Sequence, residues 1–152
     1  MKLITYALTG AFMLASTAAF AESHEAPEEN AQQMIVEAAL AGGDATAGEK
    51  VFKKCKACHM IGEGAKSRTG PPLNNMVGVE VGSFEGFKYS KGMVALSDED
   101  TVWTIENLNA LLLKPKDFIA KTKMSFAGLK NEEDRANLIA YLATFTTVEA
   151  DD

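Results

Sequence analysis

The stretch Lys54-Cys55-Lys56-Ala57-Cys58-His59-Met60 constrains this chain more than any other. It holds both cysteines and one of the two histidines among 152 residues. Cys-x-x-Cys-His is the attachment pattern of c-type haem. Two thiols separated by two residues can add to the vinyl groups along one edge of a porphyrin. The next residue, His59, then lies beneath the ring with a nitrogen available to iron. Two other chemistries use similar residues. A zinc site takes about four ligands and this stretch offers three, while His24 sits in a polar segment far upstream. A thiol redox motif belongs beside a βαβ pattern, and none surrounds these cysteines. One covalent haem c through Cys55 and Cys58 is the expectation, and it leaves no thiol for a structural disulfide.

The N-terminus points to export. Met1-Lys2 is a positive start, Leu3 to Phe20 is an apolar run, and Ala19-Phe20-Ala21 is a small-x-small cleavage pattern. Residues 1–21 therefore read as a cleaved signal peptide. The rival is an uncleaved anchor, because the run almost reaches the length of a bilayer span. Thr5, Thr9, Gly10, Ser16 and Thr17 make it a poor one, and no later segment is suited to insertion.

Charge is distributed unevenly. The chain carries 15 basic and 21 acidic residues, a net charge of −6. Five acids fall in residues 22–41 (Glu22, Glu25, Glu28, Glu29, Glu37) and three in the tail (Glu149, Asp151, Asp152). Without those eight and the signal's Lys2, 14 basic residues face 13 acidic ones. The acidity is peripheral, and no basic domain or recognition motif supports nucleic-acid binding.

Read in order, the chain divides into an acidic extension (22–41), one domain (42–148) and an acidic tail (149–152). The extension turns helical from Glu28 and ends at Gly42-Gly43, which suggests a short helix loosely held on the domain. Asp44 is a good N-cap for a helix from Ala45 to about Ala57. Gly48 inside it marks a close helix crossing, and Val51, Phe52 and Cys55 share a face, so the cysteine motif closes this helix. Glycine, proline and polar residues from Ile61 to Gly86 predict loop, with Gly70-Pro71-Pro72-Leu73 as its rigid element. A carbonyl there that accepted the His59 ring N–H would fix the imidazole tautomer. Phe84, Phe87 and Tyr89 suit a pocket edge, and a short helix begins at Ser90. A second substantial helix opens at Asp98-Glu99-Asp100 or is capped by Thr104. It carries Ile105, Leu108, Leu111 and Leu112 and stops at Lys114-Pro115. Lys116 to Ala127 reads as loop. Asn131 caps a last helix reaching about Thr146, with Glu132, Glu133 and Asp134 in its first turn and Leu138, Tyr141, Leu142 and Phe145 on its buried face. No strand-period alternation occurs, so the fold class is all-α.

A second iron ligand has to approach from the opposite face. Met1 and Met13 leave with the signal, and Met60 adjoins His59. Met34, Met76, Met93 and Met124 remain. Met124 lies in an irregular loop, where backbone can present a side chain, but most methionines are core filler, and elimination does not choose among the four.

Residues 45–146 resemble a class I c-type cytochrome, of the small bacterial type (cytochrome c2-like) related to mitochondrial cytochrome c. The likeness runs through Gly48-Glu49-Lys50-Val51-Phe52, the Cys55–His59 motif, Thr69-Gly70-Pro71, Gly86-Phe87-Lys88-Tyr89, Trp103, Pro115-Lys116, Thr122-Lys123-Met124-Ser125-Phe126-Ala127-Gly128 and Leu138-Ile139-Ala140-Tyr141-Leu142. It implies a small cytochrome c fold, with three main helices and several short ones wrapped around the haem. It also implies iron held by His59 and Met124, with Thr122 and Phe126 beside the thioether. Pro71 would accept from His59, Tyr89 and Trp103 would bind a propionate, and Gly48 and Phe52 would pack on Leu138 and Tyr141. Two positions depart from the pattern. Leu111 stands where relatives commonly carry a tyrosine near the methionine sulfur, and Val79 where many have an arginine near a propionate. Loss of that cation should lower the reduction potential, whereas a drier pocket around Leu111 would act the other way.

The resemblance further implies a monomeric one-electron carrier of the periplasm, not an enzyme. It would shuttle between a quinol–cytochrome c reductase and a terminal oxidase or photosynthetic reaction centre. Lysines border both haem-facing segments (Lys53, Lys54, Lys56, Lys88, Lys121, Lys123), and such a rim would steer acidic partners. Two alternatives remain open at this point: a haem protein that binds or senses small ligands when Met124 dissociates, and a dedicated donor to one periplasmic enzyme.

Overall fold

A computed structural model describes residues 26–148; the signal expected at 1–21, residues 22–25 and the tail at 149–152 lie outside them. Six helices follow in order: α1 (Ala26–Ala41), α2 (Ala45–Phe52), α3 (Lys91–Ser97), α4 (Ile105–Leu113), α5 (Pro115–Phe118) and α6 (Glu132–Ala143). The only β pairing among the described residues is an isolated bridge between Glu80 and Val102. The fold is all-α.

Local chemistry sets most of the boundaries. The Asp44 carboxylate accepts from the amides of Thr46 and Ala47 at 2.8 and 3.2 Å, satisfying donors that the first turn of α2 leaves free. Ser90 accepts from Met93 N–H at α3, and Asn131 from Glu133 N–H at α6. The two candidate starts of α4 resolve in favour of Thr104, whose hydroxyl accepts from Asn107 N–H at 3.2 Å. Pro115 ends α4 and then occupies the first turn of α5, where a missing N–H costs nothing. That short helix falls inside the stretch expected to be loop.

Two expected helices end early. α2 stops at Phe52, before the cysteine motif, because the next amides bond three residues back: Lys54 N–H to Val51 O and Cys55 N–H to Phe52 O. α6 stops at Ala143, with the chain closing onto Thr144.

α2 and α6 make the closest helix crossing. A Cβ on Gly48 would run into the backbone carbonyl of Asn137 and the Cβ of Tyr141, so this glycine is required by contact. Asn137 therefore meets Gly48 more closely than Leu138 does. Its side chain also accepts from Asp44 N–H at 2.7 Å, and the rings of Phe52 and Tyr141 sit 5.4 Å apart. The N-terminal extension differs most from expectation. α1 packs along α6 and buries Val36 and Ala39 in the common core, so it is an integral wall of the domain.

Helix propensity alone favours Gly48→Ala by about 1 kcal/mol, whereas overpacking at a closed contact costs about 3 kcal/mol. The crossing predicts that contact wins, with Gly48→Ala lowering stability by about 2 kcal/mol. Denaturant titration of the haem-bearing protein measures it, and a stabilised variant would contradict the geometry.

Candidate haem-binding site

The cysteine motif is presented by tight turns. Cys58 and His59 amides both donate to Cys55 O, at 3.0 and 2.9 Å, which folds the two sulfurs and the imidazole onto one surface. The following loop returns beside the motif, with Gly70 N–H on Cys58 O and Leu73 N–H on Met60 O at 3.0 and 2.9 Å. This return places Pro71 O 2.7 Å from His59 Nδ1. A carbonyl only accepts, so Nδ1 carries the proton and Nε2 keeps its lone pair. Gly70 lies so close to the imidazole that a Cβ there would strike the ring. Burial pulls the His59 pKa down, partly opposed by the Pro71 bond, so the ring is neutral at pH 7 and fit to ligate metal.

Burial pushes the Cys55 thiol up to about 11, with the Lys54 cation opposing and Cys58 adding to the shift. Among the described residues no three His, Cys, Asp or Glu side chains gather into a metal-binding group.

Cys55, Cys58 and His59 line a cavity of about 600 Å3, within the roughly 300–1,000 Å3 typical of small-molecule sites. Leu108, Leu111 and Leu112 of α4 and Leu138 and Leu142 of α6 form apolar wall, and Phe84, Phe87 and Tyr89 stand at the edge. The rings of Phe87 and Tyr89 meet edge to face at 4.9 Å. Burial raises the pKa of the Tyr89 hydroxyl, with a backbone bond to Phe84 opposing, so it remains a hydrogen-bond donor at neutral pH. Trp103 is 5% exposed and also lines the cavity. Such a slot, apolar inside with cysteines on one wall and polar aromatics beside it, fits a haem.

The loop Thr122–Phe126 contributes to the same cavity. Lys121 turns through a left-handed conformation, φ +55°, and Thr122 Oγ1 accepts from Met124 N–H at 3.2 Å. Of the four candidate thioethers, Met34 is excluded: it points outward from α1 and is 65% exposed. Met76, Met93 and Met124 all line the cavity. Leu111 and Val79, the two departures from the family pattern, line it as well.

All six rim lysines are exposed. Lys54 pairs with Asp134 at 3.5 Å, and Lys56 lies 6.0 Å from the Phe52 ring centre. Lys123 Nζ reaches the carbonyls of Lys88 and Tyr89 at 3.4 and 3.5 Å. Sequence reasoning missed Arg135, which is 6% exposed on α6. A signal was there: Arg135 is in register with Leu138, Ile139 and Leu142, at the i, i+3, i+4, i+7 spacing of a buried stripe.

The family model for cytochrome c matches residues 45–146. Cytochrome c2 of Afifella marina is 48% identical over 101 residues, covering 66% of this chain and 82% of that protein. Cytochrome c-550 of Ancylobacter novellus is 47% identical over 98 residues, covering 64% and 92%. Among solved structures, cytochrome c2 from Rhodospirillum centenum aligns with a TM-score of 0.65 at 37% identity, over 69% of this chain and all of the other. The family match begins after α1, which is therefore an addition to the shared domain.

Val79→Arg would restore a cation beside the cavity. Such a charge opposes the extra positive charge gained on oxidation, so the variant's reduction potential should rise, on the order of tens of millivolts. Potentiometric titration of both proteins checks it; an unchanged or lower value would reject the role given to Val79.

Proposed function

The chain belongs to the cytochrome c family, whose haem c is covalently bound, here through Cys55 and Cys58, and from that premise we propose that it is a monomeric periplasmic one-electron carrier with His59 and Met124 as axial ligands. The observation that carries this reading is that one apolar cavity takes both the Cys55–Cys58–His59 turn and the Met124 loop.

When bound, the haem supplies an iron that exchanges one electron between its ferrous and ferric states. The chain's own residues set the conditions. Pro71 O accepts from His59 Nδ1–H, which leaves Nε2 as the nitrogen that would hold the iron. Thr122 fixes the backbone amide of Met124, and Phe126 packs with the core beside it. Leu108, Leu111, Leu112, Leu138 and Leu142 keep water from the cavity wall. Tyr89 and Trp103 offer donors to a propionate. His59 and Met124 would hold the iron from both sides and leave no open position for substrate chemistry, which supports a carrier over an enzyme.

The signal at 1–21 would deliver the mature chain to the periplasm; no described helix is long and apolar enough to cross a membrane. Lys53, Lys54, Lys56, Lys88, Lys121 and Lys123 would guide it to acidic faces of redox complexes, a quinol–cytochrome c reductase as donor and a terminal oxidase or photosynthetic reaction centre as acceptor. Such contacts are fast, weak and salt-sensitive.

Two measurements test this. The reduced protein should resist carbon monoxide at neutral pH, whereas Met124→Ala should bind it; ready binding by the native protein would favour a ligand-binding role. Joint reversal of Lys88 and Lys121 to Glu should slow reduction by a quinol–cytochrome c reductase roughly tenfold at low salt and flatten the salt dependence. An unaltered salt dependence would remove the lysine rim from docking.

A further inference from the structure

Arg135 is the only buried charged side chain among the described residues, and nothing in the carrier mechanism above uses it. Its Nε donates to Asn109 Oδ1 of α4 at 2.6 Å. Its Nη1 donates to the backbone carbonyls of Leu129 and Lys130 at 2.8 and 3.0 Å. Among the described residues no carboxylate pairs with it. A guanidinium taken out of water for neutral acceptors alone is a costly way to fill space. Leucine or methionine would pack the position without that cost. The fork geometry explains its use, since one planar group can hold three acceptors on two different segments at once.

Those segments are informative. Leu129 and Lys130 end the irregular stretch that begins beyond α5 and carries Met124. Leu129 N–H also donates to Leu112 O of α4 at 2.8 Å. The chain leaving the Met124 loop is thus tied on both sides of one residue: its amide to α4, its carbonyl to α6 through Arg135. Asn109 completes the clamp from the same helix whose Leu108, Leu111 and Leu112 line the cavity. We propose that Arg135 is a positioning residue for the Met124 thioether, locking the far end of the loop so that it stays closed over the cavity and excludes competing ligands. The proposal rests on the reading of Met124 as an axial ligand.

A competing ligand reaches the iron only in molecules whose loop has lifted, so its apparent affinity reports that fraction. Imidazole titration of the oxidised holoprotein provides this readout, alongside the thermal midpoint of each variant. Arg135→Lys keeps the charge and loses the fork, and should raise imidazole affinity roughly tenfold or more, as loss of a buried charged hydrogen bond implies. Asn109→Ala, which frees only Nε, should raise it several-fold. Val36→Ala in α1 creates a core defect away from the loop and serves as the structural control; it should lower the thermal midpoint while leaving imidazole affinity within roughly twofold. Equal gains in affinity for Val36→Ala and Arg135→Lys, or no gain for Arg135→Lys and Asn109→Ala, would overturn the positioning role. Met124→Ala separates the two layers. If it binds imidazole no more tightly than the native protein, the axial assignment fails; if it binds tightly while the Arg135 and Asn109 variants match the native protein, only the clamp fails.

Discussion

The structure depends on a core that the polypeptide does not fill by itself. α4 and α6 turn leucines toward a cavity of about 600 Å3, and apolar surface left facing water forfeits about 25 cal/mol for each Å2. A rigid haem held by two thioethers converts that deficit into burial. It also takes up both cysteines of the chain, so no disulfide shares that task. The cavity has its shape because α2 and α6 cross with no side chain between them at Gly48. That contact fixes α6 against the helix leading into the cysteine motif. The face of α6 that carries Leu138 and Leu142 is then set opposite the motif within one site. A looser crossing would separate the wall from the attachment point.

What the sequence made legible was local. The Cys55–His59 spacing, the caps at Asp44 and Asn131, the helix start at Ser90 and the stop at Pro115 each depend on neighbours a few residues away, and each stands in the structure. The start of α4 was ambiguous because Asp98 and Thr104 are both competent caps; only tertiary position decides between them. The end of α2 was misread because helix and successive three-residue turns share almost the same apolar spacing over one turn. α1 read as a loosely held helix, since in an acid-rich segment its packing rests on a few residues: Val36 and Ala39 buried, with Ile35 against the core. The second iron ligand was beyond spacing altogether. Three methionines line the cavity; Met93 sits in α3, and loop context alone does not separate Met76 from Met124.

Charge is arranged in two regimes with different consequences. The rim lysines are solvated, and their field falls off over roughly 8–10 Å at physiological salt. On the proposed reading they would affect encounter with partners more than internal structure. The first-turn acids of α6 sit where the helix dipole favours them, and Asp134 takes up Lys54 at a half-exposed pair worth little by itself. The acids of α1 lie on a helix outside the residues matched to the family.

Arg135 belongs to the other regime. Its charge is buried, so salt screens it little, and two of its three bonds run to backbone carbonyls that cannot be substituted away. Changes on the rim should therefore alter how fast the protein meets a partner without loosening the Met124 loop. Changes at the clamp should alter how tightly the loop closes without affecting long-range steering. Lys123 is the one rim residue that spans both regimes, because its ammonium group lies over the carbonyls of Lys88 and Tyr89 while its charge remains exposed. Reversal at Lys123 would mix docking with loop closure, which is why Lys88 and Lys121 are the cleaner probes of the surface. The proposed carrier would need this separation: a partner would press on the lysine rim, and trade ions with it, while the proposed iron ligands stay where they were.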